Sequence, residues 1–154
     1  MTTGTAGSAR RPHEEEPDPV GGLRLRPLPA PSDPAFPLGH DYFEIVYTPL
    51  VGPTAVLLAR AMARHIDAAG GPATVCPVEL ALEVGIRASS TDPLGSRSHL
   101  VHAIDRLVHD HIVSRLGDRV LGVRSAVPLL SDRAISKLPP PSRRAHLRFA
   151  KGGE

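Results

Sequence analysis

The side chains best suited by type and spacing to meet a partner are His99, His102, Arg106 and His109, set three and four positions apart. On a helix this spacing projects them along one stripe, where they can reach nucleobase edges or phosphates. Arginine contributes most there, because its guanidinium makes paired bonds to guanine. Asp105 and Asp110 share the segment and would repel phosphate, so a merely solvated face competes with this reading. His102, Asp105 and His109 fall at i, i+3 and i+7, which could bring three metal-ligating atoms to one side. A metal site also needs a fourth ligand or an open position, with outer groups that hold the rings. No cysteine pair and no His-Glu-x-x-His run supplies these, so no metal is expected. Arg97 precedes the stripe, Arg115, Arg119 and Arg124 follow it, and Arg143 and Arg144 lie near the end. All suit phosphate contact that weakens with salt, although exposed hairpins and chain ends also carry arginine for edge protection and solubility. Ser89 and Ser90 lack a Gly-x-Ser-x-Gly setting, no phosphate-binding or dinucleotide glycine pattern occurs, and the acids are dispersed. Neither an enzyme nor a cofactor is expected.

Charge is distributed unevenly around these residues. Between residues 97 and 154 there are eleven Lys and Arg against five Asp and Glu, while residues 1 to 96 carry seven against eleven. A nucleic-acid footprint would therefore lie in the C-terminal third. With two Tyr, three Phe and no Trp, the core must be aliphatic and helices must pack through small side chains. Cys76 is the sole cysteine, which excludes an internal disulfide and suits a reducing compartment; its neighbours Val75 and Val78 suggest a buried, inert thiol. The first thirty residues include Glu14, Glu15 and Glu16 and no apolar run, so neither a secretory signal nor a membrane span is expected, and cytoplasm is the expected location.

The elements that must position the stripe can be read along the chain. Residues 1–39 carry Pro27, Pro29, Pro31, Pro34 and Pro37 among Gly, Ser, Thr and charge, which predicts a disordered tail dispensable for folding. His40 to Tyr47 is expected to be a short strand or extended lead-in. From Thr54 to Ala69, Val56, Leu57, Ala59, Ala63 and Ile66 recur at helical spacing, with Arg60 and Arg64 opposite and Gly70-Gly71-Pro72 as the stop. Thr74 to Cys76 would be a short strand, paired later with a hairpin. Pro77 opens a second helix running to Val84, and Gly85 ends it. A loop from Arg87 to Arg97 leads to the third helix, about Ser98 to His111, with Leu100, Ile104, Leu107 and Val108 on its apolar face. Ile112 to Leu116 and Val120 to Val123 flank Gly117-Asp118-Arg119 as a β-hairpin. Short helices are expected at Ser131 to Leu138 and Ser142 to Ala150, within a basic extension from 126 to 154.

The order helix, short strand, helix, loop, helix, hairpin over residues 42 to 125 resembles the winged helix-turn-helix superfamily, a mainly α fold with a small β-hairpin. The run Tyr47-Thr48-Pro49-Leu50-Val51-Gly52-Pro53 is similar to the start of the N-terminal domain of primosomal proteins of the DnaD and DnaB type. The resemblance implies a winged-helix domain at 40–125 that binds double-stranded DNA as a homodimer. The third helix would read the groove through His99, His102, Arg106 and His109, while Arg115, Arg119, Arg124, Arg143 and Arg144 hold phosphates, and the loop before that helix could touch DNA through Arg87, Ser89, Ser90 and Arg97. It equally implies an alternative, since in those proteins the domain serves self-assembly as much as DNA contact: a protein-interaction module that leaves DNA untouched. The loop, about ten residues, is longer than the three or four residues joining the helices of a regular helix-turn-helix.

Overall fold

Leu23 and Leu25 alternate with Arg24 and Arg26, and this short period-two run forms β1 (Leu23–Leu28) near the middle of the molecule's main sheet. The structure is a computed structural model and describes residues 21–31, 34–87 and 92–152. The described elements that follow are β2 (Ala35–Pro37), a π-helical segment (Phe43–Tyr47), α1 (Thr48–Val51), α2 (Pro53–Ala69), β3 (Ala73–Val75) and α3 (Pro77–Glu83). Next come α4 (His99–His109), β4 (Val113–Gly117), β5 (Val120–Arg124), β6 (Ala126–Pro128), α5 (Asp132–Ile135) and α6 (Pro140–Ala150). The architecture is α+β, with six α-helices, a four-stranded mixed sheet and a two-stranded sheet among the described residues.

The main sheet has the order β3-β1-β5-β4. β1 runs antiparallel to β3, with Leu25 opposite Ala73, and parallel to β5, with Leu25 opposite Leu121. Two expectations are corrected here. Residues 23–28 and 35–37 are strands, not disordered tail, because Leu23 and Leu25 supply two fully buried side chains to the core. The short strand before α3 pairs with β1 and not with the hairpin, since β1 occupies the position between them. Pro27 is tolerated because it lies beyond the last β3 pair. It alternates with Arg24, whose N–H donates to Arg119 O on the β5 side, so its missing donor faces the unpaired edge. Residues 1–20, the rest of the predicted tail, lie outside the described residues. Gly122 allows the Leu28 side chain to lie directly on β5, for a Cβ there would meet Leu28 Cδ2 at 2.8 Å.

The lead-in at 43–47 is π-helical and not extended. Pro49 has no N–H to return to the carbonyl of Ile45, and the Thr48 hydroxyl donates instead to Glu44 O, so the turn widens before α1. Gly52, at φ 87°, breaks α1 from α2. In α2 the buried set is Ala55, Val56, Leu58, Ala59, Ala61, Met62 and Ile66; Leu57, expected in the core, is 50% exposed. Arg60, expected outside, turns back to hold the lead-in: Nε donates to Leu38 O at 2.8 Å and Nη1 pairs with Glu44 at 3.0 Å.

The expected C-terminal extension is part of the same core. β6 pairs with β2, and Leu138 and Ala145 are buried within the cluster that contains Leu25, Met62 and Leu107. α6 packs on the π-helical segment through a buried polar network. Leu130 N–H donates to Tyr42 Oη at 3.0 Å, and Tyr42 Oη meets His146 Nδ1 at 2.9 Å. The Tyr42 hydroxyl thus accepts from Leu130 while sharing a second hydrogen bond with His146, whose direction follows the imidazole tautomer. Burial pushes the His146 imidazole below its ordinary range, against an opposing pull from Asp132. Burial also raises both tyrosines, with the Leu130 bond partly offsetting this for Tyr42; Tyr47 donates to Pro128 O at 2.8 Å.

Cys76 is exposed, contrary to the buried thiol its neighbours suggested. It follows buried Val75 and takes the N-cap of α3 in extended backbone, so alternation along β3 turns it outward. Cys76 is therefore expected to titrate with a thiol reagent in the native protein at one equivalent per chain; reaction only after denaturant is added would refute this exposure.

Among the described residues, no helix is long and apolar enough to cross a membrane.

Candidate nucleic-acid interface

The helix that carries the stripe begins at a defined cap. Ser98 Oγ accepts from Leu100 N at 3.2 Å and Val101 N at 3.4 Å and donates to Pro93 O at 2.7 Å, fixing the end of the preceding loop to the start of α4. Leu100, Ala103, Ile104 and Leu107 are buried against α2 and the sheet. The opposite face is exposed and carries His99, His102, Asp105, Arg106 and His109, with Arg97 exposed just ahead of the cap. The helix ends with Ile112 N–H returning to Leu107 O at 2.9 Å, which places His111 at φ 60°, the left-handed position usually filled by glycine.

The stripe is not uniformly free. His102 Nε2 donates to Ser96 O at 3.1 Å, and its ring stands edge-on to that of His99, with centroids 6.4 Å apart. Asp105 pairs with Arg115 of β4 at 2.5 Å, so the acid that seemed set against phosphate is neutralised by an arginine expected to grip it. Both partners are about half exposed, and such a pair adds little stability while orienting both side chains. Its engagement with Arg115 also takes Asp105 out of the i, i+3, i+7 metal arrangement. Among the described residues, no group of three His, Cys, Asp or Glu converges as a metal site.

Arg106 lies back against the α1–α2 corner. Its Nη1 is 3.5 Å from Val51 O and occupies the space a Cβ on Gly52 would need, 2.7 Å away. Arg124 is also engaged, its Nε donating to His111 O at 2.8 Å. Arg119 is exposed in the two-residue turn between Gly117 and Val120, which Arg24 N–H steadies through Arg119 O at 2.8 Å. Arg143 and Arg144 are exposed on α6, a different element from the stripe. Of the ten residues chosen from sequence, His99, His102, Arg106 and His109 share one helix face. Arg97 stands at its start, and Arg115 and Arg119 lie on the adjoining hairpin.

Arg87, expected only as a contact from the long loop, has a more defined place. It is exposed after α3, and it lines with Thr54, His99, His102 and Arg106 a cleft of about 530 Å³ between α2, α4 and the segment after α3. Sequence offered only a loop arginine at this point, because the cleft depends on how distant elements pack. Ser89 and Ser90 lie outside the described residues. No known family model, curated protein or solved structure matches this chain.

Proposed function

We propose that the chain is a non-enzymatic winged-helix protein that binds double-stranded DNA, as a homodimer, in transcriptional control or a related DNA transaction. The observation that carries this reading is the exposed face of α4, headed by Arg97 and lined by imidazoles, beside a hairpin whose turn presents Arg119. The succession α2, β3, α3, α4, β4, β5 follows the winged-helix order, with β1 as an added strand between β3 and β5. In this arrangement the start of α4 enters the major groove and the hairpin turn grips phosphate.

A fluorescence binding assay with duplexes of several sequences at two salt concentrations tests the proposal. Arg97→Ala is expected to cost about 1–3 kcal/mol on a preferred site and to flatten the preference between sequences. Arg119→Ala is expected to weaken all duplexes alike and lower the salt slope by about one unit. A second reading, an assembly module without DNA contact, has its own support: Ile45 and Leu57 are 39% and 50% exposed along one apolar groove with Val56. Absence of duplex binding at physiological salt, together with an oligomer that Leu57→Glu dissociates, would select that reading and refute DNA binding.

A further inference from the structure

We infer that the cleft between α2, α4 and the segment after α3 is a binding site for a phosphate group, with Arg87 and Arg106 as its cationic walls. Its lining brings together Arg87 from the segment after α3, His99, His102 and Arg106 from α4, and Thr54 from the first turn of α2. Among the described residues no acidic one lines it; Asp92 belongs to the neighbouring hollow, shared with Arg87, Arg97 and His99. A volume of about 530 Å³ falls within the range of small-ligand sites.

The cleft gathers positive charge from side chains and from a helix end. α2 is 17 residues long, and its positive end faces the cleft through Thr54 and Ala55. Pro53 has no N–H, and Val56 N–H is returned to Gly52 O, so the unsatisfied donors of this helix start are those of Thr54 and Ala55. A guanidinium would ordinarily avoid such a place. Arg106 is nevertheless held there, in the room left by Gly52, with one carbonyl, Val51 O, at the 3.5 Å limit of hydrogen bonding. A guanidinium carries five donors, so most of its bonding capacity remains for a ligand. Arg87 approaches from the opposite element and, among the described residues, forms no ion pair. His102 spends Nε2 on Ser96 O, which leaves Nδ1 as its second polar atom. Two guanidinium groups, the Thr54 hydroxyl and the Thr54 backbone N–H form a donor set suited to a phosphate's acceptor oxygens, and the two guanidinium charges oppose a cation.

The phosphate can come from a duplex backbone or from a free phosphorylated molecule, and the test separates them. Inorganic phosphate is titrated into the full chain at constant ionic strength, with chloride as the reference anion, and followed by backbone and arginine side-chain NMR. Saturable shifts at Thr54, Ala55 and the Arg87 side chain are expected, with affinity about tenfold weaker in Arg87→Ala, as for one lost charge-assisted contact. Arg87 is exposed, so its removal spares the fold; Arg106→Gln serves as the second variant. Shifts that do not saturate, that lie outside the cleft, or that are unchanged in both variants overturn the inference. The same Arg87→Ala variant is then measured against duplex DNA. A salt slope lower by about one unit identifies the backbone as the source, and an unchanged slope with lost phosphate affinity identifies a free ligand. Saturable phosphate binding in a chain that ignores duplex DNA refutes the proposed function and leaves this site standing.

Discussion

A chain beginning at His40 is expected to lose its cooperative thermal transition and the dispersion of its NMR spectrum. The deletion removes β1 from between β3 and β5, so both strands lose a hydrogen-bonded neighbour and β2 is taken from β6. It also empties the positions of Leu23 and Leu25, which are 3% and 0% exposed. Each buried leucine contributes about 1.5–3 kcal/mol, and the broken ladders add to a total that rivals the ~5–15 kcal/mol by which domains are usually stable. Leu25→Ala alone is expected to cost about 2–5 kcal/mol in denaturant unfolding. A truncated chain that melts cooperatively near the temperature of the intact protein would mean that β1 does not belong in the sheet.

Tyr42→Phe is expected to cost about 1–3 kcal/mol for each of the two groups it strands, Leu130 N–H and His146 Nδ1. These lie 88 and 104 positions away along the chain, so the hydroxyl ties the segment before α1 to the C-terminal helix. The same network carries a pH dependence. Burial lowers the folded pKa of His146, so above the ordinary imidazole value of about 6.5 its contribution is complete. As pH falls below that value the unfolded chain takes up the proton first, and stability declines until the folded pKa is passed. His146→Gln keeps a hydrogen-bonding partner for Tyr42 and removes the titration. The difference in unfolding free energy between the native protein and this variant should shift against the native protein as the solution is acidified. A difference that stays flat from neutral pH downward would place His146 in water.

The helices of this fold were legible in the sequence because their signals are local. Pro77 and Gly85 bracket α3, Ser98 caps α4, and Gly70 and Gly71 stop α2, all within a few residues of the elements they bound. The hairpin was equally local, as was the exposed stripe on α4. What escaped depends on distant partners. β1 is a short alternating run among prolines, and nothing near it shows that β3 and β5 wait on either side. Leu57 and Leu58 are neighbours of equal hydrophobicity, and only packing decides that the second is buried. The candidate site divides in the same way. Helical spacing placed His99, His102 and His109 together, whereas the retreat of Arg106 onto Gly52 and the capture of Arg115 by Asp105 are tertiary events.

The seat of β1 also dictates an order of events during folding. Leu25 pairs with Leu121 across 96 positions, so the strand translated first among those of the main sheet waits for the last one before it is enclosed. Closing so long a span carries an entropic cost that contacts within the helices do not share, and domains rich in such pairings fold more slowly than helical bundles of like size. On a ribosome, α2, α3 and α4 emerge while β1 still lacks its parallel neighbour, and its two leucines remain in water until β5 arrives. Arg24 and Arg26, alternating with those leucines, keep that waiting strand charged, which discourages it from pairing with another nascent chain.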